Sequence, residues 1–76
     1  MNMYRVKIRV KELCKQLSWS LNELALRSGV TYTTVRRYAM QPMAKIEIDP
    51  VSGIQETFGC SWDELLELLG DDSFDE

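Results

Sequence analysis

Residues 3–10, Met-Tyr-Arg-Val-Lys-Ile-Arg-Val, alternate apolar and charged side chains. A period of two predicts a strand with one buried face. From Val10 the period lengthens. Val10, Leu13, Cys14 and Leu17 recur at i, i+3, i+4 and i+7, which predicts an amphipathic helix over about residues 9–17. Ser18-Trp19-Ser20 interrupts that pattern. Leu21, Leu24, Ala25 and Ser28 then form the inner stripe of a second helix, about 21–28. Ser20 and Glu23 have the spacing of a capping box, and Trp19, just before the cap, is placed to pack back as a hydrophobic staple. Gly29 stands where this helix ends and takes a left-handed backbone without strain. Thr31 caps a third helix, about 32–39, which buries Val35, Tyr38 and Ala39. Gln41-Pro42-Met43 ends it, because proline disfavours helical geometry in the residue before it.

Lys45-Ile46-Glu47-Ile48 alternates again. Two readings stay open: a second strand pairing with residues 3–8, with Glu47 facing Arg and Lys, or an extended loop. Asp49-Pro50 has the form of a capping residue followed by a proline at the first helical position. The fourth helix then runs to about residue 58, with Val51, Ile54 and Phe58 on one face. Gly53 lies inside it at a cost of up to ~1 kcal/mol, and Gly59 is a stop signal. Ser61 and Glu64 form a second capping box. A fifth helix follows over residues 62–69, with Trp62, Leu65, Leu66 and Leu69 apolar and Leu68 widening the stripe. The fold class expected is mainly α, a bundle of five helices, with a short N-terminal strand and residues 45–48 as its candidate partner.

Seventy-six residues suit one small domain, here 1–70, followed by an acidic tail at 71–76. No apolar run approaches the roughly 20 residues of a membrane span. The first residues lack the apolar stretch of a signal peptide, so the chain reads as cytoplasmic, with no membrane partner. Cys14 and Cys60 are the only cysteines, without metal-ligand spacing and without a histidine. They read as free thiols, although a bridge between them is not testable from the sequence. No cofactor is called for. The chain has no histidine for acid–base work, no phosphate-binding glycine loop and no nucleophile motif, which argues against an enzyme. Asp71, Asp72, Asp75 and Glu76 have the chemistry to gather a cation loosely, but read first as a solvated tail.

The charge is split. Residues 1–46 carry all nine Lys and Arg and only Glu12 and Glu23, for +7; residues 47–76 carry ten acids and no base, for −10. The net charge of −3 therefore hides a basic half, which contains the pair of helices around Gly29. Thr33, Arg36, Arg37 and Met40 share one face of the third helix. A helix with two arginines and short hydroxyls on its outer face, following a helix and a tight turn, suits a DNA major groove.

Numbered from Leu21, the fourth, tenth, fifteenth and eighteenth positions of this stretch are Leu24, Val30, Val35 and Tyr38. All are apolar, as packing of the two helices requires. The fifth, Ala25, is small where the helices cross; the ninth is Gly29; the eighth, Ser28, departs from the usual apolar residue. With Val-Lys-Glu-Leu in the first helix, Leu-Asn-Glu-Leu-Ala-Leu-Arg-Ser-Gly-Val-Thr-Tyr-Thr-Thr-Val in the motif (20–39 overall) and Phe-Gly-Cys-Ser-Trp-Asp-Glu-Leu-Leu further on, the chain resembles the helix-turn-helix domains of the phage Cro and lambda-repressor type, the XRE family. The resemblance extends from about Val6 to Leu69.

That resemblance implies a lambda-repressor-like bundle that binds double-stranded DNA, usually as a homodimer, to regulate transcription. It implies base reading by Tyr32, Thr33, Thr34 and Arg37, with Arg36 beside them. It implies phosphate contacts at the start of the second helix, Ser20, Leu21 and Asn22, joined by Thr31 and Lys45. Two positions depart from the family pattern. Leu21 stands where many relatives have a glutamine that bonds the DNA backbone, and Ala39-Met40-Gln41 stands where they often have Glu-Asn-Gly. A second reading is an antitoxin or protein-interaction module, with a toxin or regulatory protein as partner, using the acidic face of the fourth and fifth helices.

Overall fold

The computed structural model describes residues 4–70. The acidic tail and its four carboxylates therefore lie outside the described residues, as does Met3 at the start of the alternating stretch. The order of elements is β1 (Arg5–Ile8), α1 (Val10–Leu17), α2 (Leu21–Ser28), α3 (Tyr32–Met40), α4 (Ile48–Phe58), α5 (Trp62–Leu65) and β2 (Leu66–Leu69). Five helices and a two-stranded antiparallel sheet result. No helix of the described residues is long and apolar enough to cross a membrane.

The core follows the periodic positions. Ile8, Val10, Cys14, Leu24, Ala25, Val35, Tyr38, Val51, Ile54 and Leu65 are buried together, so β1 and all five helices share one apolar cluster. Leu13, Val30, Ala39 and Phe58 pack against it from its edge. Three residues assigned to apolar stripes are instead exposed, Leu17, Trp62 and Leu68. Leu17 is the last residue of α1, and Trp62 the first of α5, where the helix ends lift their side chains clear of the cluster. Both cysteines are free thiols, and burial pushes each above its ordinary pKa.

The largest departure is at the C-terminal end. The fifth helix stops after one turn, and Leu66 is extended, with φ −111° and ψ 141°. Residues 66–69 form β2, paired antiparallel with β1 in the register Arg5↔Leu69, Val6↔Leu68, Lys7↔Glu67 and Ile8↔Leu66. Leucine and glutamate favour helices, so local propensity does not make this strand. The edge of β1 does. A helix at 66–69 leaves the backbone groups of β1 without partners, whereas an extended Leu66-Glu67-Leu68 satisfies them and keeps Leu66 on the core.

Residues 45–48 do not pair with β1. The other edge of β1 carries a single bridge, Val6 to Met43, in which each N–H donates to the other's carbonyl at 2.8 Å. Pro42 has no N–H with which to lengthen this ladder, and Ile48 is already the first residue of α4. The chain's middle is thus tied to the N-terminal strand at Met43. Helix α4 starts at Ile48, two residues before Pro50, so Asp49 sits in its first turn; the N-cap is Glu47, which makes no side-chain cap bond. Proline in that first turn loses nothing, because those N–H groups have no partner inside the helix. Gly53 faces the turn between α2 and α3. A Cβ there would lie 3.4 Å from the Ser28 carbonyl oxygen and 3.7 Å from Val30, ordinary van der Waals contact, so α4 packs close to the turn without requiring a glycine.

Candidate nucleic-acid interface

The helix pair is held by its own polar groups. The Ser20 hydroxyl accepts the Glu23 N–H at 3.0 Å, as an N-cap should. The reciprocal half of the capping box is absent, because the Glu23 carboxylate instead takes the Arg27 Nε at 2.6 Å. An i,i+4 pair of this polarity stabilises the helix modestly. The Arg27 guanidinium also lies 4.6 Å from the centre of the Trp19 ring, and Trp19 stacks on Phe58 at 5.8 Å. The expected staple therefore reaches across to α4. Gly29 has φ +76°, the left-handed geometry that ends α2. Ser28 now has a reason to be polar, since its hydroxyl accepts the Val30 N–H at 3.2 Å and fastens the turn. Thr31 caps α3 by accepting the Thr34 N–H at 3.4 Å.

With Val35 and Tyr38 turned into the core, the rest of α3 is fixed in orientation. Tyr32, Thr33, Arg36, Arg37, Met40 and Gln41 line one shallow groove on the outside. Tyr32 is 46% exposed and Met40 54%. Four of the five base-reading candidates thus come together. Thr34 does not. It is half-buried, its hydroxyl accepts a hydrogen bond from Thr31 at 3.1 Å, and it lines a separate groove with Gly29, Asp49 and Gly53. Gln41 is the residue missed. Its position one turn beyond Arg37 on the same face was available from the helical period, but Pro42 beside it marked it only as a helix end.

The basic residues fall into two groups. Lys7 pairs with Glu12 at 2.7 Å, Arg9 with Glu67 at 3.4 Å, and Arg27 with Glu23 at 2.6 Å. The hydrogen bond from Lys7 holds the Glu12 carboxyl below the usual carboxylate range and the Lys7 amine above its own. Arg36 and Arg37, like Arg5, Lys11, Lys15 and Lys45, have no acidic partner among the described residues, but they alone of these lie on α3. The Arg37 guanidinium lies 5.8 Å from the Tyr38 ring centre, at the outer limit of a cation–π contact. The buried Tyr38 phenol is pushed above its ordinary pKa, mainly by burial and then by the charge of Glu47.

Of the phosphate candidates, Ser20, Asn22, Thr31 and Lys45 are exposed and Leu21 is half-buried against the core. The Ser20 cap uses the Glu23 N–H, and the first helical bond runs from Leu24 N–H to the Ser20 carbonyl. The Leu21 and Asn22 N–H groups have no acceptor among the described residues and remain free for an anion. Lys45 lies in the connection between α3 and α4, close in sequence to the Met43 bridge that anchors it. Among the described residues no cluster of His, Cys, Asp or Glu has metal-binding geometry.

No curated protein and no solved structure gives a match. A family model does, that of the Cro/C1-type HTH DNA-binding domain, over residues 9–71. The match spans every helix, and the turn at Gly29 with its packed partners Leu24, Ala25, Val35 and Tyr38 is the motif for which that family is named; this chain belongs to the Cro/C1-type HTH DNA-binding domain family.

Proposed function

We propose that the protein is a sequence-specific transcriptional regulator that places α3 in the major groove of double-stranded DNA. One observation carries the reading. On an element whose other face is locked into the core, the exposed side presents two arginines without acidic partners, a hydroxyl and an aromatic edge in a single groove. Arg36 and Arg37 have the fork geometry for guanine O6 and N7, Thr33 bonds a base edge or a phosphate, and Tyr32 meets a thymine methyl or a phosphate. Ser20, Leu21, Asn22, Thr31 and Lys45 serve as backbone contacts that set the register of α3. Leu21 acts through its N–H alone, since its side chain has no polar atom. Thr34 contributes to the cap of α3 and at most to a phosphate contact.

The alternative, an antitoxin or interaction module on an acidic face of α4 and α5, gains no support from the geometry. Helix α5 is a single turn, Glu64 is committed to the Ser61 capping box, and Glu67 is paired with Arg9. Selection from a random duplex library with the full chain tests the proposal. Enrichment of one motif is expected, with affinity falling steeply as salt rises because phosphate contacts release counterions. Binding without enrichment would show charge attraction alone and would remove the base-reading role.

A further inference from the structure

The outer face of α3 carries one apolar side chain that folding does not use. Met40 is 54% exposed, and it belongs neither to the apolar cluster nor to the residues packed against it. It follows Thr33, Arg36 and Arg37 at i+7, i+4 and i+3, so it lies on their face, one turn nearer the end of the helix. Gln41 comes next. It is exposed, and its side-chain amide makes no hydrogen bond to the described residues. Both residues line the groove of Arg36 and Arg37, and both also line a second groove with Lys7 and Pro42. They therefore form the ridge between the two. The sequence leaves the family pattern at these positions, so the resemblance gives them no role.

Helix ends usually fray, but this one is held. The Gln41 N–H donates to the Arg37 carbonyl at 3.2 Å and closes the last turn. The Gln41 backbone is extended, with φ −150° and ψ 149°, as the proline after it requires. Two residues on, Met43 exchanges both its hydrogen bonds with Val6 at 2.8 Å. The ridge is thus fixed between helix and sheet, and two long, unbranched side chains start from set positions on it.

We infer that Met40 and Gln41 extend the base-reading surface, Met40 meeting a thymine methyl and Gln41 an adenine, about two base pairs beyond the contacts of Arg36 and Arg37. The inference rests on the major-groove reading of α3 proposed above. Met40 lies four residues beyond Arg36, and Gln41 four beyond Arg37. Four residues of helix advance about 6 Å, and base pairs are about 3.4 Å apart, which gives the offset. The C5-methyl of thymine is the apolar group that the major groove offers to a thioether chain. Adenine presents the N7 acceptor and the N6 donor side by side, which the glutamine amide matches with a donor and an acceptor of its own. A phosphate offers no donor to the amide oxygen and no apolar surface to Met40. The bound sequence is therefore expected to hold A·T pairs on that side of the guanines met by the arginines.

The full chain and a selected duplex test this when single base atoms are removed. Deoxyuridine in place of thymidine deletes only the methyl, and 7-deazaadenine in place of adenine deletes only the N7 acceptor. One deoxyuridine, about two base pairs beyond the pair relaxed by Arg37→Ala, should weaken binding about fourfold, the worth of one buried methyl-sized group. Met40→Ala should no longer respond to it. One 7-deazaadenine in the same stretch should weaken binding about fivefold, the worth of one hydrogen bond, and Gln41→Ala should not respond. Two results overturn the inference: no modified base in that stretch matters to the unmodified chain, or both variants keep the full response. The unmodified chain decides the matter if a variant does not fold. Arg37→Ala separates the two readings. If it still flattens the preference at its own base pair while the modified bases have no effect, base reading by the arginines stands and the extension falls. If no duplex is enriched, both fall.

Discussion

Ser18 is the one non-glycine among the described residues with a left-handed backbone, at φ 60°. It closes α1, its N–H donating to the Lys15 carbonyl at 3.2 Å and the Trp19 N–H to the Cys14 carbonyl at 2.9 Å. That geometry crowds a Cβ, which glycine lacks. Ser18→Gly is expected to stabilise the fold by about 0.5–1 kcal/mol, less than the full strain because glycine also loosens the unfolded chain. A urea titration reads this as a higher midpoint, and a lower midpoint would contradict it. At this scale the sequence was legible where one residue type has one use. Gly29 and Gly59 end helices, and Ser61 with Glu64 closes a full capping box. It was less legible where a side chain has two partners in reach. Glu23 was spaced for Ser20 but is held by Arg27, and Ser28 looked like a flaw in the motif although it bonds the turn.

Helices α1 to α4 were legible because their apolar stripes repeat over two turns or more and their ends carry recognisable stops. Residues 66–69 were not. Their leucines fit a helical stripe and a strand alternation equally, and the choice is made by β1, some sixty residues away in sequence, whose edge needs a partner. The same contact is reinforced by a side chain. Arg9 donates to the Asp63 and Glu64 carbonyls at 3.3 and 3.2 Å and pairs with Glu67, so it clamps the end of α5 to the start of α1. Arg9→Met keeps the aliphatic stem and removes those bonds. It should cost about 1 kcal/mol and loosen one part of the molecule. Exchange of the Glu67 and Leu69 amides should quicken about fivefold, while the Leu24 and Val35 amides stay as they were. Equal acceleration throughout would mean that Arg9 acts on the whole fold and not on β2.

Across the whole molecule, three bases are paired with acids in the scaffold, Lys7, Arg9 and Arg27, while both arginines on α3 are left without acidic partners among the described residues. Periodicity alone placed Thr33, Arg36, Arg37 and Met40 on one face, because a helix with two fixed core residues has little freedom left, and the family resemblance added Tyr32. Which bases are neutralised could not be read the same way, since Arg9 meets Glu67 only after the sheet has formed. The most direct measurement is the affinity of the full chain and of Arg37→Ala for a selected duplex and for every single-base-pair variant of it. With α3 reading bases, the substitution weakens binding to the selected site by about 1–3 kcal/mol and flattens the preference at one base pair while leaving the others. Unchanged affinity, or a uniform loss with every preference retained, would contradict a base-reading role for that face of α3.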